Sequence, residues 1–261
     1  MKDIIHFSHA NGFPAGSYNT LFKLLEPHFE LGYIDRLGHH PEYPVTDNWK
    51  YLEQELINEL RNRYDRPVYA IGHSLGGVLS MMVARRHPEL IKGLIMLDSP
   101  LITNFEARAV SVLKRVGLLD RFTPAGRTVG RKEEWGSVTE VEDYFKGKKL
   151  FSRFDERCLR DYVNQATKDH GNGRRLHFDA DTELKIYRTI PHNLYRTKRL
   201  QMPCAVIGGR QSDVFKRQHA FKMKNQLGME VHWLPGGHMF PMEKPEQTVN
   251  MIRELIDKWS D

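Results

Sequence analysis

Gly72-His73-Ser74-Leu75-Gly76 places a serine between two glycines, after the apolar run Val68–Ile71 and before a helix-patterned stretch from Val78. A serine at a tight strand-to-helix turn can present its hydroxyl above a sheet, because the flanking glycines let neighbouring backbone approach without a Cβ clash. The start of the following helix points unbonded N–H groups, and a partial positive charge, at any oxyanion that develops there. The chemistry this suggests is nucleophilic attack by Ser74 on a carbonyl carbon.

A hydroxyl is a weak nucleophile until a base takes its proton, and the base needs a carboxylate to hold its tautomer. The C-terminal part supplies both. His238 lies in Pro235-Gly236-Gly237-His238-Met239-Phe240-Pro241, a Gly/Pro-rich loop after the apolar run Met229–Leu234. Asp213 follows the run Cys204–Gly208 and is the only acidic residue between Glu183 and Glu230. Ser74, Asp213 and His238 are therefore the expected triad. Asp98, at the end of Gly93–Leu97, is the rival acid, since it too would sit at a strand's C-terminal end, where ligands gather in open α/β sheets. A helix N-cap is the alternative role for Asp213. The other histidines compete poorly, His6 lying within a strand and His73 facing away from the turn.

At the N-terminus, Ser8-His9-Ala10-Asn11-Gly12-Phe13-Pro14 closes the run Ile4–Ser8 with small, turn-prone residues. Such a turn can aim a backbone N–H across the crevice at the serine. The expected oxyanion hole is the N–H of Asn11, with Ala10 as its fallback, together with the N–H of Leu75.

These residues must be held by something larger. Candidate strands at Ile4–Ser8, Leu31–Asp35, Val68–Gly72, Gly93–Asp98, Cys204–Gly208 and Met229–Leu234 alternate with helical patterns near Tyr18–His28, Trp49–Tyr64, Leu75–His87, Phe215–Leu227 and Pro245–Trp259. Several strand runs are apolar throughout, as strands buried on both faces are. The fold class expected is α/β, with a doubly wound, mostly parallel sheet of about six strands. Residues 101–200 break the alternation with helical patterns at Phe105–Val116, Val138–Lys149 and Phe154–Lys168, separated by Pro124, Gly126, Gly130, Gly171, Gly173 and Pro191. They are expected to form a helical cap inserted between core segments 1–100 and 201–261.

Charge marks the same division. The net charge is +6, but residues 101–200 hold 21 Lys and Arg against 14 Asp and Glu, while the remainder holds 18 against 19. A basic cap surface is the plain reading, with attraction of an anionic substrate as the pointed one. No basic run interleaved with aromatics on a recognisable module argues for nucleic acid. A mean hydropathy of −0.56, with no apolar stretch near the ~18 residues of a membrane span, argues against a membrane partner. Two distant cysteines, Cys158 and Cys204, and an N-terminus without a signal-peptide pattern suggest a reducing cytoplasm. No metal or organic cofactor is needed for the chemistry described.

Taken together, these motifs resemble the α/β-hydrolase superfamily over nearly the whole chain. Gly72–Gly77 is similar to its nucleophile elbow, and Ser8–Pro14 to its His-Gly oxyanion turn, with Ala10 where glycine is usual. Asp35-Arg36-Leu37-Gly38-His39 is similar to its Asp-x-x-Gly-His segment, and Asp213 and His238 match its acid and base positions. Asp98-Ser99-Pro100 resembles the point where many members carry a cap. The chain begins at what would be the family's third strand, so the resemblance implies a sheet lacking the usual first hairpin. A serine nucleophile separates it from the haloalkane dehalogenases and epoxide hydrolases of this fold, which use aspartate. The resemblance implies hydrolysis of small to medium carboxylic esters through an acyl-enzyme on Ser74. An acyl thioesterase, or a C–C hydrolase or lyase with the same triad, are the alternatives, and a binding protein that keeps the triad as a ligand pocket is a third class.

Overall fold

The computed structural model describes residues 2–260. Its main sheet is formed by β1 (Ile4–Ser8), β2 (Glu30–Tyr33), β3 (Val68–His73) and β4 (Ile91–Leu97) and, beyond the insertion, β8 (Cys204–Gly209) and β9 (Glu230–Leu234). All six strands run parallel in the order β2-β1-β3-β4-β8-β9. The six strands expected from the apolar runs are these six, with ends shifted by one or two residues.

Every residue of β1, β3 and β8 is buried, because helices cover both faces. Alternate side chains sort to the two sides. Ile5, Phe7, Ile71, Ile95 and Ile207 pack with α1 (Asn19–Leu25) and the C-terminal helix α9 (Pro245–Ser260). Ile4, Ala70, Leu94, Met96 and Val206 pack with α2 (Lys50–Arg63) and α3 (Leu75–Arg86). None of the helices is long and apolar enough to cross a membrane, among the described residues.

The sheet sets the site through its topology. From β1 the chain moves outward to β2, whereas from β3 it moves the other way to β4, β8 and β9. The loops leaving β1 and β3 therefore part at the switch point, where open α/β sheets form their ligand crevice. The register places Ser8 beside Gly72, His73 beside Leu97, and Gly209 beside Leu234. The C-terminal ends of β1, β3, β4, β8 and β9 thus lie along one edge of the sheet.

Residues 101–200 hold α4 (Asn104–Arg115), α5 (Ala125–Thr128), α6 (Val138–Lys146), α7 (Glu156–Gln165) and α8 (Ala180–Arg188). They also hold β5 (Glu134–Trp135), β6 (Thr167–His170) and β7 (Gly173–Leu176), which make an antiparallel sheet in the order β5-β7-β6. The small sheet is an addition to the helical insertion expected from the sequence. Gly171 and Asn172 form the two-residue loop of a hairpin, with Gly171 at φ +56°, a turn that glycine enters without steric cost. The insertion shares its core with the sheet: Phe13 meets Tyr162 and Phe151, with ring centroids 4.7 and 6.0 Å apart. Asp161 on α7 also accepts from the N–H and hydroxyl of Thr20, at 2.7 and 2.6 Å.

One close approach fixes the β1 loop against α3. A Cβ on Gly76 would lie 2.0 Å from the Ser8 carbonyl oxygen, a backbone atom that cannot swing aside. Gly76→Ala is expected to cost about 3 kcal/mol or more, measured as a lower urea midpoint. A variant as stable as the parent would show that the two loops need not touch.

Candidate active site

Ser74 leaves β3 at φ 52°, ψ −112°, and α3 starts at the next residue. For a residue with a Cβ this backbone is strained, and surrounding contacts must enforce it. They do so from two sides. Ser74 N–H donates to the Leu97 carbonyl at 2.9 Å. A Cβ on Gly72 would lie 2.3 Å from the Gly76 carbonyl carbon and oxygen, so the turn closes only with glycine there. The Ser74 side chain is partly exposed at the mouth of this turn and bonds to no described residue.

His238 lies on the loop after β9, and its Nδ1 is 2.7 Å from Oδ2 of Asp98. The sequence reading is corrected at this point: the acid facing His238 is Asp98 and not Asp213. Asp98 directly follows β4, is wholly buried and leaves its strand at φ 45°. It also accepts from Gly209 N–H at 2.7 Å and from Ser212 Oγ–H at 2.5 Å. Asp213 is one residue past Ser212 but is exposed, with no hydrogen bond or ion pair to a described residue. The loop after β8 therefore contributes donors to Asp98 in place of a carboxylate. Ser212 Oγ itself accepts from Val214 and Phe215 N–H, both at 3.1 Å, which sets its proton toward Asp98. Because the carboxylate can only accept, His238 Nδ1 carries the hydrogen, and the neutral form of the ring is the tautomer with its lone pair on Nε2.

Two further groups hold the His238 loop. Glu243, nearly buried, accepts from Gly237 N–H at 3.1 Å and from Arg153 at 3.2 Å. Gln211 accepts from Gly236 N–H at 2.6 Å. Nothing in the sequence singled out Ser212, Gln211 or Glu243, although all three lie within six residues of Asp213 or His238.

The expected oxyanion turn is organised by hydrogen bonds that distinguish its two candidate donors. Ala10 N–H is taken, donating to the Tyr18 hydroxyl at 3.2 Å. The Ala10 carbonyl accepts from His9 Nδ1 at 2.8 Å and from Phe13 N–H at 3.1 Å. In a trans peptide the N–H points opposite the carbonyl, so pinning that carbonyl also fixes the direction of Asn11 N–H. Neither Asn11 N–H nor Leu75 N–H meets a described acceptor.

A chain of buried hydrogen bonds joins this turn to the histidine loop. The Tyr18 hydroxyl accepts from Ala10 and donates to His73 Nδ1 at 2.7 Å. His73 Nε2–H donates to the His238 carbonyl at 2.9 Å. His73, the residue before Ser74, therefore faces inward and ties together three loops. Burial holds its pKa well below 6.5, as the neutral tautomer in this chain requires. His9 is likewise neutral, pushed down to about 4 by burial, with Nε2 accepting from Leu37 N–H at 2.8 Å.

Tyr18→Phe leaves Ala10 N–H and His73 Nδ1 buried without partners, and is expected to cost about 2–4 kcal/mol of unfolding free energy. His6, His9 and His73 also set a pH dependence. Burial holds His6 at about 3, His9 at about 4 and His73 well below 6.5. Below pH 6.5 the unfolded chain protonates these rings and the folded chain does not, so stability is full above 6.5 and falls as pH drops. Each ring lowers stability by about 2 kcal/mol at pH 5. Glu55, pushed up to about 7 by burial, opposes them, as do Glu53 and Glu183, also raised by burial. The expected net loss from pH 7 to 5 is about 2–3 kcal/mol, read from urea midpoints, and a flat profile would mean that these rings are charged in the folded protein.

The mouse monoglyceride lipase is 25% identical over a stretch that covers 50% of this chain and 45% of that enzyme, so the chain spans under half the length of this relative. The human serine hydrolase-like protein 2 is 23% identical, covering 93% of this chain and 83% of that protein. Among solved structures, E-2-(acetamidomethylene)succinate hydrolase superposes with a TM-score of 0.79 at 19% identity, over 98% of this chain and 92% of that one. A family model described as the alpha/beta hydrolase family matches residues 7–251. With the six-stranded parallel sheet and the serine at the end of its third strand, these matches show that the chain belongs to the alpha/beta hydrolase family.

Proposed function

We propose that this protein is a serine hydrolase of small to medium carboxylic esters, acting through an acyl-enzyme on Ser74. The observation that carries the reading is the pair of buried Asp98 and half-buried His238 on the strand-end edge that also bears the strained turn of Ser74. Ser74 Oγ attacks the acyl carbon while His238 Nε2 takes its proton, and the carbonyl π electrons move onto oxygen. Asn11 and Leu75 N–H groups donate to that oxyanion. Collapse of the tetrahedral intermediate expels the alkoxide, which takes the proton back from His238. Water, deprotonated by His238 in turn, attacks the acyl-enzyme and releases the carboxylic acid and Ser74. Asp98 keeps the imidazole in the required tautomer and stabilises its cation.

The partner in this reading is a small-molecule acyl substrate. A reducing compartment such as the cytoplasm suits Cys158 and Cys204, free and buried thiols that burial pushes up to about 12 and about 11.

Turnover of 4-nitrophenyl butyrate and labelling by a fluorophosphonate should both disappear in Ser74→Ala. Asp98→Asn should lower kcat roughly 10³- to 10⁴-fold, while Asp213→Asn stays within about twofold. Retained labelling in Ser74→Ala would sink the reading. Loss of turnover in Asp213→Asn alone would return the acid to the position first expected.

A further inference from the structure

The insertion places a guanidinium beside the oxyanion turn. Arg131 follows α5, and its Nη1 lies 2.6 Å from Oε2 of Glu183 on α8. That carboxyl group packs on the turn itself, since a Cβ on Gly12 would be 3.0 Å from Glu183 Cδ. Asn11 Nδ2–H donates to the Glu183 backbone carbonyl at 3.0 Å, and Thr128 Oγ1–H donates to Oε1 at 3.1 Å. Arg131 is thus one side chain removed from the residue whose N–H is the expected oxyanion donor.

The other edge of this guanidinium is unmet. Although the Arg131 side chain is 21% exposed overall, Nε and Nη2 are buried and have no hydrogen-bond partner among the described residues. Asn11 Oδ1, on the turn, is buried and unpartnered as well. Nε–H and one Nη2–H point the same way and form the side-on fork that fits both oxygens of a carboxylate. Leaving charged donors buried and unbonded is costly, so a fork kept free beside a catalytic turn is a feature awaiting an anion. Glu183 occupies only the Nη1 end, and burial pushes its carboxyl above the ordinary range against the pull of Arg131.

We infer that Arg131 is a specificity-determining residue that binds a carboxylate on the substrate, so that the esters cleaved carry a second, ionised carboxyl group. The inference rests on the ester-hydrolase reading and narrows its substrate class. A neutral acyl ester of the same size leaves the fork unbonded, whereas a carboxylate supplies a bidentate, charge-assisted pair. The excess of cations in residues 101–200 would favour the approach of such an anion.

The test compares kcat/KM for two anionic esters with that for a neutral one. 4-Nitrophenyl hemisuccinate carries the carboxylate on the acyl side, 4-carboxyphenyl butyrate carries it on the leaving group, and 4-nitrophenyl butyrate is neutral. At least one anionic ester should be favoured over the neutral one by roughly 10- to 100-fold. Arg131→Gln should remove that ratio, chiefly through KM, and Arg131→Lys should restore only part of it. The double variant Arg131→Gln/Glu183→Gln leaves no lone buried charge, and should lose the ratio too if the single variant folds poorly. Arg175→Gln, which removes an exposed cation of the insertion, should keep the ratio. No preference for either anion, or a preference that survives loss of Arg131, would overturn the inference and show a fork met by solvent only. Absence of Ser74-dependent turnover with all three esters would instead overturn the ester-hydrolase reading.

Discussion

The Asp98 carboxylate is the point on which the site's geometry depends. A fully buried charge is tolerated only when donors surround it, and here each donor comes from a different stretch of chain. Gly209 N–H ends β8, Ser212 Oγ–H belongs to the following loop, and His238 Nδ1–H comes from the loop after β9. Satisfying one carboxylate therefore fastens two loops that would otherwise be free to move. The parallel register does the coarse placement, since it brings the ends of β4, β8 and β9 to one edge. The three hydrogen bonds do the fine placement. A second set, from Ala10 through Tyr18 and His73 to the His238 carbonyl, braces the same histidine from the opposite side.

Much of this was legible from residue pattern. Runs of five or six mostly apolar residues located all six strands, and those of β1, β3 and β8 are plainest because a strand buried on both faces has no polar side to blur it. The turn at Ser74 was legible because sterics leave few sequences that can make it: Gly72 and Gly76 each meet backbone at distances no Cβ allows. His238 followed from its glycine-rich loop at a strand end.

The acid and the insertion were harder for reasons that can be named. Asp98 and Asp213 both follow apolar strands, and a one-dimensional pattern does not say which loop curls beneath the histidine. The deciding fact is burial: Asp98 is enclosed and Asp213 is exposed. In the insertion, Gly171 and Gly173 read as breaks between helical patterns. Thr167–His170 and Gly173–Leu176 are polar enough to hide the short strands on either side, and only the glycine–asparagine pair signalled a hairpin. Arg131 and Glu183 gave no signal, since 52 residues separate two charges that meet only when the insertion folds.

The position of Asp98 has a consequence for how such a protein can change over time. It directly follows β4, close to the start of the insertion, and its backbone is anchored by Asp98 N–H donating to the Ile207 carbonyl at 2.8 Å. The insertion therefore hangs directly from Asp98, with only Ser99 and Pro100 between them. Had Asp213 faced His238 instead, the whole of β8 would have stood between that carboxylate and any exchange or lengthening of the insertion. With Asp98, a graft that alters the first residues of the insertion also pulls on a backbone held at positive φ. The insertion is thus less interchangeable than its compositional distinctness suggests, and its permissible variation should begin beyond Pro100, where the chain is free of that tether.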